Sequence, residues 1–229
     1  MSSADSTGMP ADRREAVGDV WSPALQHAAQ ARAWAALHRA AAAIEPGMDD
    51  RDGLALVNSI IEASGSERLW HASQVRFGPN TGLTFGKVPD RPHVLRPGDA
   101  FFLDIGPVYD GHEGDVGQTF TLGGDGPGEA LAADGRAVWE AVAARWRSHR
   151  ETGEALYRFA EDQARARGRR LTLTGAGGHR IGDFPHHIHH KGKLTDYDSC
   201  PAADLWILEI QVLDDRLGLG AFHEDLLAL

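Results

Sequence analysis

Cysteine is almost absent: the 229 residues include one, Cys200, so no disulfide can close within the chain. That fits a reducing compartment. Cys200 stands beside Pro201, with nothing near it in sequence to activate a thiol. No apolar run approaches the roughly 20 residues that a bilayer-spanning helix needs, which argues against a membrane protein. The opening MSSADSTGMPADRREA is polar and lacks the apolar core of a signal peptide. Positive charge is also scarce: the formal net charge is −10, with no basic stripe and no aromatic-rich basic segment. Nucleic acid is therefore excluded as the main partner. No internal repeat is visible. These absences lead to the expectation of a cytoplasmic protein with a flexible tail over 1–14 and one folded domain over 15–229.

What is present is apolar and regularly punctuated. Hydrophobic residues make up 42%, enough for one large domain or two small halves sharing a core. Helical spacing of Trp, Leu and Ala predicts a helix over 21–44, ended by Pro46 and Gly47. A second helix is expected over 50–64, with Asp49 or Asp50 as its N-cap and Gly65 past its end. LWHASQVRFG reads as one strand broken at GPNTG. Residues 100–122 read as an antiparallel pair joined by a short turn at YDGHEGD. GGDGPGEALAADG reads as loop, and helices follow over 133–148 and 152–167. Strands resume at RRLTLTG, in LWILEIQVL and in the closing AFHEDLLAL. Helices, strands, helices, strands in that order imply an α+β fold with antiparallel pairing rather than a βαβ series.

The stretch FFLDIGPVYDGHEGDVGQTF places Asp104 and Asp115 on apolar backbone. An unpaired buried carboxylate is costly and persists where positive charge sits against it. Glu209, inside WILEIQV, raises the same question; alone it is equally explained as a strand-edge residue facing solvent. Glu224 and the glycine-framed His179 complete a set of five that coincidence explains poorly. Four carboxylates with one imidazole suit two divalent cations such as manganese, iron, cobalt or zinc. A metal pair can share a bridging hydroxide that attacks a carbonyl.

The order and spacing of these motifs resemble the pita-bread metallopeptidases: methionine aminopeptidase, aminopeptidase P, prolidase and creatinase. Asp104 and Asp115 match the family's strand-borne aspartate pair, and GHRIGDFPH resembles its Gly-His-x-Ile-Gly with a second histidine, His186, seven positions later. LEIQV stands where the family has Ile-Glu-Pro, and FHED where it has the closing Glu-Asp. The resemblance covers about 25 to 229. It implies a curved antiparallel sheet flanked by helices, and a dinuclear hydrolase whose bridging hydroxide attacks a peptide or peptide-like amide carbonyl. Under it Asp104 would chelate one metal, His179 with Glu209 the other, and Asp115 and Glu224 would bridge. Glu209 would also take a proton from the attacking water, and His186 would steady the substrate carbonyl. Family habit alone suggests a homodimer. With no extra N-terminal domain ahead of the motifs, the domain itself or a second subunit would grip a small peptide or peptide-like substrate.

The sequence departs from the family around the substrate. Phe85 stands five positions after Asn80, where the family has a histidine that contacts the scissile amide. Phe222 stands where Xaa-Pro-cleaving members have arginine, and Ile210 replaces the usual proline. His71 is either a substitute donor or a strand residue near the pocket mouth. In PHHIHHKGK only His186 is expected to function, the rest lining the pocket; Asp183 is expected to orient a loop or cap a turn, and His112 and Glu113 to be solvated. Two other classes stay open: the same metals serving dioxygen activation at a diiron site, or a lyase or hydrolase of a biosynthetic pathway, and a binding module without catalysis. Members that abandon metal catalysis generally lose ligands, and here all five stand.

Overall fold

Residues 12–124 and 126–229 are described in the computed structural model of the chain. Most of the expected tail, residues 1–11, lies outside them. Its described end is held down: Asp12 caps a 3-10 turn over Arg13–Glu15 and accepts from the Tyr197 hydroxyl at 3.1 Å. Glu15 Oε1 accepts from Ala202 N and the Trp206 indole, both at 2.8 Å.

Helix α1 (Pro23–Ala43) starts with proline at its first turn, where no backbone donor is lost. Its buried face is small, with Ala29, Ala33, Ala36 and Ala40 around Leu37, so backbone approaches closely. A Cβ on Gly114 would lie 2.9 Å from Ala33 Cβ. Helix α2 (Asp50–Ala63) carries a reciprocal capping box between Asp49 and Asp52. Buried Asp50 at its first turn accepts from Phe77 N at 2.8 Å and from Asn80 Nδ2 at 3.0 Å.

The described residues form ten strands, in chain order β1 (Arg68–Leu69), β2 (Gln74–Phe77), β3 (Ala100–Ile105), β4 (Pro107–Tyr109), β5 (His112–Glu113), β6 (Val116–Thr121), β7 (Arg170–Thr172), β8 (His179–Arg180), β9 (Trp206–Asp214) and β10 (Leu219–Leu226). Helices α3 (Pro127–His149) and α4 (Gly153–Ala166) separate β6 from β7. The main sheet runs β2-β3-β6-β10-β9-β7, with β8 also on β9, and every pairing is antiparallel. A small second sheet orders β1-β4-β5. The α+β class and antiparallel sheet read from the sequence are both present.

Three local expectations are corrected. LWHASQVRFG is two strands in different sheets, with His71 in the bend between them. The pair β3–β6 exists, but the chain between them builds its own hairpin, β4–β5. That hairpin turns on Asp110 and Gly111, both at positive φ, as a two-residue loop of this twist requires. Most of GGDGPGEALAADG is helix, because Gly128 and Gly135 serve close packing rather than a turn. A Cβ on Gly128 would lie 2.5 Å from Ala100 Cβ.

Strand alternation sorts the sheet into two faces. Phe101, Leu103 and Ile105 join one core with residues of α1 and α2, while Leu208, Ile210, Val212 and Ala221 join another with residues of α3 and α4. The intervening residues Phe102, Asp104, Glu209, Gln211, Phe222 and Glu224 face a cavity instead. No described helix is long and apolar enough to cross a membrane.

Candidate metal centre

Register sets the site. Asp104 pairs with Gly117, Gly117 with Glu224, and Glu224 with Glu209, so three carboxylates lie in one row across β3, β6, β10 and β9. Gly117 leaves the gap in that row. A Cβ there would meet Phe222 Cε1 at 2.3 Å and Glu224 Oε2 at 3.2 Å. In the next row Phe102, Phe222 and Gln211 continue the cavity floor, and Thr119 between them bonds the Phe222 backbone through its hydroxyl.

Asp115 enters from the head of β6. Gln30 of α1 grips its backbone, donating to Asp115 O at 2.6 Å and accepting from Asp115 N at 3.0 Å. The same amide of Gln30 donates to Asp225 Oδ1 at 2.8 Å, which also accepts from the Trp34 indole. Nothing in the linear sequence marks Gln30, because its partners lie 85 and 195 positions away.

Histidines close the cluster. His179 Nε2 lies 2.9 Å from Asp115 Oδ2, 3.7 Å from Glu209 Oε1 and 3.8 Å from Glu224 Oε1. Its Nδ1 sits 2.8 Å from the Arg180 carbonyl. A carbonyl only accepts, so Nδ1 carries a proton; Nε2 donates a second one to Asp115 in the imidazolium form, and once deprotonated offers its lone pair to a cation. His71 Nε2 lies 3.2 Å from Asp115 Oδ1 and 3.5 Å from Asp104 Oδ1. All five residues expected as ligands thus converge, and His71 is added to them. Among the described residues, two donor groups could each hold an ion: His71, Asp104 and Asp115, and Asp115, His179 and Glu224. Asp115 is common to both. Glu209 stands beside the second group, its Oε2 accepting from Gly178 N at 2.9 Å.

The carboxylates fit a cation for a specific reason. Asp104 Oδ1 and Glu224 Oε2 are shielded from solvent and meet no hydrogen bond, an arrangement costly without positive charge. Without metal, the group shares protons instead. Burial, with Asp115 and Glu209 adding to it against His71, pushes Asp104 up to about 7. Burial and the neighbouring carboxylates push Glu224 well above the usual range. Burial also works against Asp115, but hydrogen bonds from His179 and His71 outweigh it and hold Asp115 down at about 2. Burial disfavours the imidazolium forms, yet the facing carboxylates raise His71 and His179 each to about 9.

His186 is tied by a residue expected to be solvated. Glu113, only 1% exposed, accepts from His186 N at 3.1 Å, and its Oε2 lies 2.5 Å from His186 Nδ1. His112 is equally buried, its Nε2 accepting from Ser22 N at 3.1 Å. Both turn inward because the β4–β5 hairpin folds back beneath the segment carrying Asp183 and His186, with Glu113 N donating to Gly182 O at 3.0 Å. Asp183 anchors the N-terminal segment by accepting from Gly18 N at 3.0 Å. Trp70 packs edge-on against His71, His179 and His186, with centroids 4.4, 5.0 and 5.2 Å away. Burial lowers His186 from its ordinary pKa, partly offset by Glu113.

The cluster opens into a cavity of about 480 Å³. Phe85, 49% exposed, lies beside His71 with ring centroids 5.9 Å apart, and Phe222 packs on Phe102 at 5.5 Å. Both phenylalanines therefore line the wall beside the cluster, as does His71.

A family model described as metallopeptidase family M24 matches residues 24–228. No curated protein matches the sequence significantly. Among solved structures, the fold is similar to X-Pro aminopeptidase from Thermotoga maritima, with a TM-score of 0.67 and 21% identity over 86% of this chain and 55% of that one. Prolidase from Pyrococcus horikoshii OT3 is similar at TM-score 0.71 and 16% identity, over 93% of this chain and 60% of that one. Methionine aminopeptidase from Thermotoga maritima is similar at 0.64 and 18%, over 87% and 88%. The chain spans less than two thirds of the first two proteins' length. At these identities the likeness establishes the fold.

Proposed function

Because the chain belongs to metallopeptidase family M24, we propose that it is a metal-dependent hydrolase of peptides or peptide-like amides. The observation that carries this reading is the carboxylate row Asp104–Glu224–Glu209, spaced by Gly117, with Asp115 shared between two potential donor groups. Asp104, Asp115, His179, Glu209 and Glu224 would hold two divalent cations of the manganese, cobalt, zinc or iron class. When bound, such ions supply Lewis acidity that polarises an amide carbonyl and acidifies water.

The chain's own groups do the rest. Glu209, 13% exposed and at the cavity wall, is placed to take a proton from water. Glu113 fixes the His186 ring, holding the proton at Nδ1 and leaving Nε2 for the substrate. In the imidazolium form, which the buried Glu113 carboxylate supports, Nε2 donates to the carbonyl oxygen or to a departing nitrogen; in the neutral form it accepts. His71 Nε2 is engaged by Asp104 and Asp115, so its first role is within the cluster. Trp70, Phe102 and Phe222 present apolar surface around the scissile group and exclude water. The unpaired, half-buried Cys200 is consistent with a reducing, cytoplasmic setting.

The test is hydrolysis after controlled metal loading. Chelator-stripped protein reloaded with manganese or cobalt should cleave small amides and dipeptides, and chelation should stop it. Methionyl and Xaa-Pro peptides should be poor substrates, because Phe85 and Phe222 offer no polar group where relatives in the family have histidine and arginine. Fully loaded protein that turns over no member of a broad amide panel would refute the reading.

A further inference from the structure

The chain has 23 basic residues besides histidine, of which only three are lysine: Lys87, Lys191 and Lys193. Two of the three, Lys191 and Lys193, line the cavity that holds the carboxylate cluster. Lys87 lies in the adjoining groove, where its backbone carbonyl accepts from Arg76 Nη2 at 2.7 Å. Arg76 reaches the main cavity by register: it pairs with Phe102 across β2 and β3 and so stands at the end of the second floor row.

The charges of that cavity divide cleanly. Its acidic lining residues are the four carboxylates of the cluster, and every other charged side chain lining it is cationic. Two divalent cations would neutralise the four carboxylates, leaving Arg76, Lys191 and Lys193 as surplus positive charge in a protein of net charge −10. Arg76 spends its donors on Val75 O, Gln74 and Lys87 O. The two lysines do not: neither ammonium has a hydrogen-bond or ion-pair partner among the described residues. Lys193 is nevertheless positioned, its backbone bridging to His179 and its stem lying over Gly177, where a Cβ would meet Lys193 Cδ at 3.1 Å.

We propose that Lys191 and Lys193, backed by the charge of Arg76, form a subsite for an anionic group, so that the substrate is a small amide with an apolar middle and a carboxylate or phosphate end. The apolar middle would lie along Phe85, Phe102 and Phe222. The inference rests on the hydrolase reading for the amide, but the anion subsite can be tested without turnover.

The experiment is calorimetric titration of manganese-loaded protein with three non-hydrolysable probes: 3-phenylpropionate, 3-phenylpropyl phosphate and 3-phenyl-1-propanol. At least one anion should bind about tenfold tighter than the alcohol, the scale of one or two solvent-facing charge pairs. The tighter of the two anions identifies the group. In the Lys191→Ala/Lys193→Ala double variant, at unchanged metal content and melting temperature, that preference should vanish while alcohol binding stays. Equal affinity for anion and alcohol in the wild type overturns the subsite, as does failure of all three to bind. A preference that survives the double substitution overturns it too, since the metals would then be reading the anion. Absence of amide hydrolysis with the lysine-dependent preference intact would count against the hydrolase reading alone.

Discussion

Glu113 is the residue whose role differs most from its appearance. In YDGHEGD it looks like a turn residue, yet it is buried and bonded to both the backbone and the ring of His186. Its carboxylate accepts from His186 Nδ1, which in the proposed mechanism would leave Nε2 toward the substrate, and it partly offsets the burial that disfavours the charged ring. Glu113→Gln keeps the shape and removes the charge, so it should lower kcat by about 10²–10⁴-fold, the range attributed to a positioned acid–base group. Metal content and KM should change little. Steady-state kinetics beside metal analysis would check this; a rise in KM at constant kcat would make Glu113 a substrate-contact or purely structural residue instead. Local sequence could not reveal this pairing, since the partners are 73 positions apart.

At the scale of elements, the site depends on register more than on any single side chain. Gly117 leaves room between Asp104 and Glu224 for the Phe222 ring edge and the Glu224 carboxylate, so it sets how closely the carboxylates of the row can approach a shared cation. Gly117→Ala should push Phe222 and Glu224 aside, destabilise the fold by about 1–3 kcal/mol as overpacking does, and lower metal affinity. Denaturant unfolding and metal titration would measure the two effects. Unchanged affinity would mean that the row is not where cations sit. The strands that carry this row were legible in sequence because carboxylates interrupt otherwise apolar runs, as in FFLDI and WILEIQV. The four carboxylates that converge in the cluster were legible from their apolar surroundings and their order along the chain, and His179 from its flanking glycines. What escaped reading were pieces too short to show a period, β1, β4 and β5. The start of α3 was hidden because its glycines resemble loop but serve close helix–sheet contact. His71 was singled out near the pocket, but its contact with Asp104 and Asp115 was hidden by its place in a bend that looked like strand.

For the whole molecule, the cluster couples metal binding to stability through protons. Asp104, His71 and His179 have raised folded-state pKa values, so their contributions to the metal-free protein are fully present below the unfolded values of 3.8 and 6.5. Those contributions are lost as pH rises through about 7 for Asp104 and about 9 for the histidines. Asp115 runs the other way: its contribution is present above 3.8 and lost as pH falls through about 2. The metal-free protein should therefore weaken between pH 6 and pH 8.5. Metal binding needs the same groups deprotonated, so it releases protons and its affinity should rise with pH. Melting curves with chelator and with manganese should show a larger metal-induced shift at pH 8.5 than at pH 6. A shift that shrinks with pH would show that the ligands are not these titrating groups.

The most direct test of a shared metal centre is manganese stoichiometry in chelator-stripped wild type and Asp115→Ala, measured by titration and elemental analysis at one pH. Asp115 is the member common to both donor groups, so wild type should take up two equivalents and the variant should lose tight binding of both while keeping its fold. Two equivalents retained in the variant, or a wild type that binds none, would contradict the account.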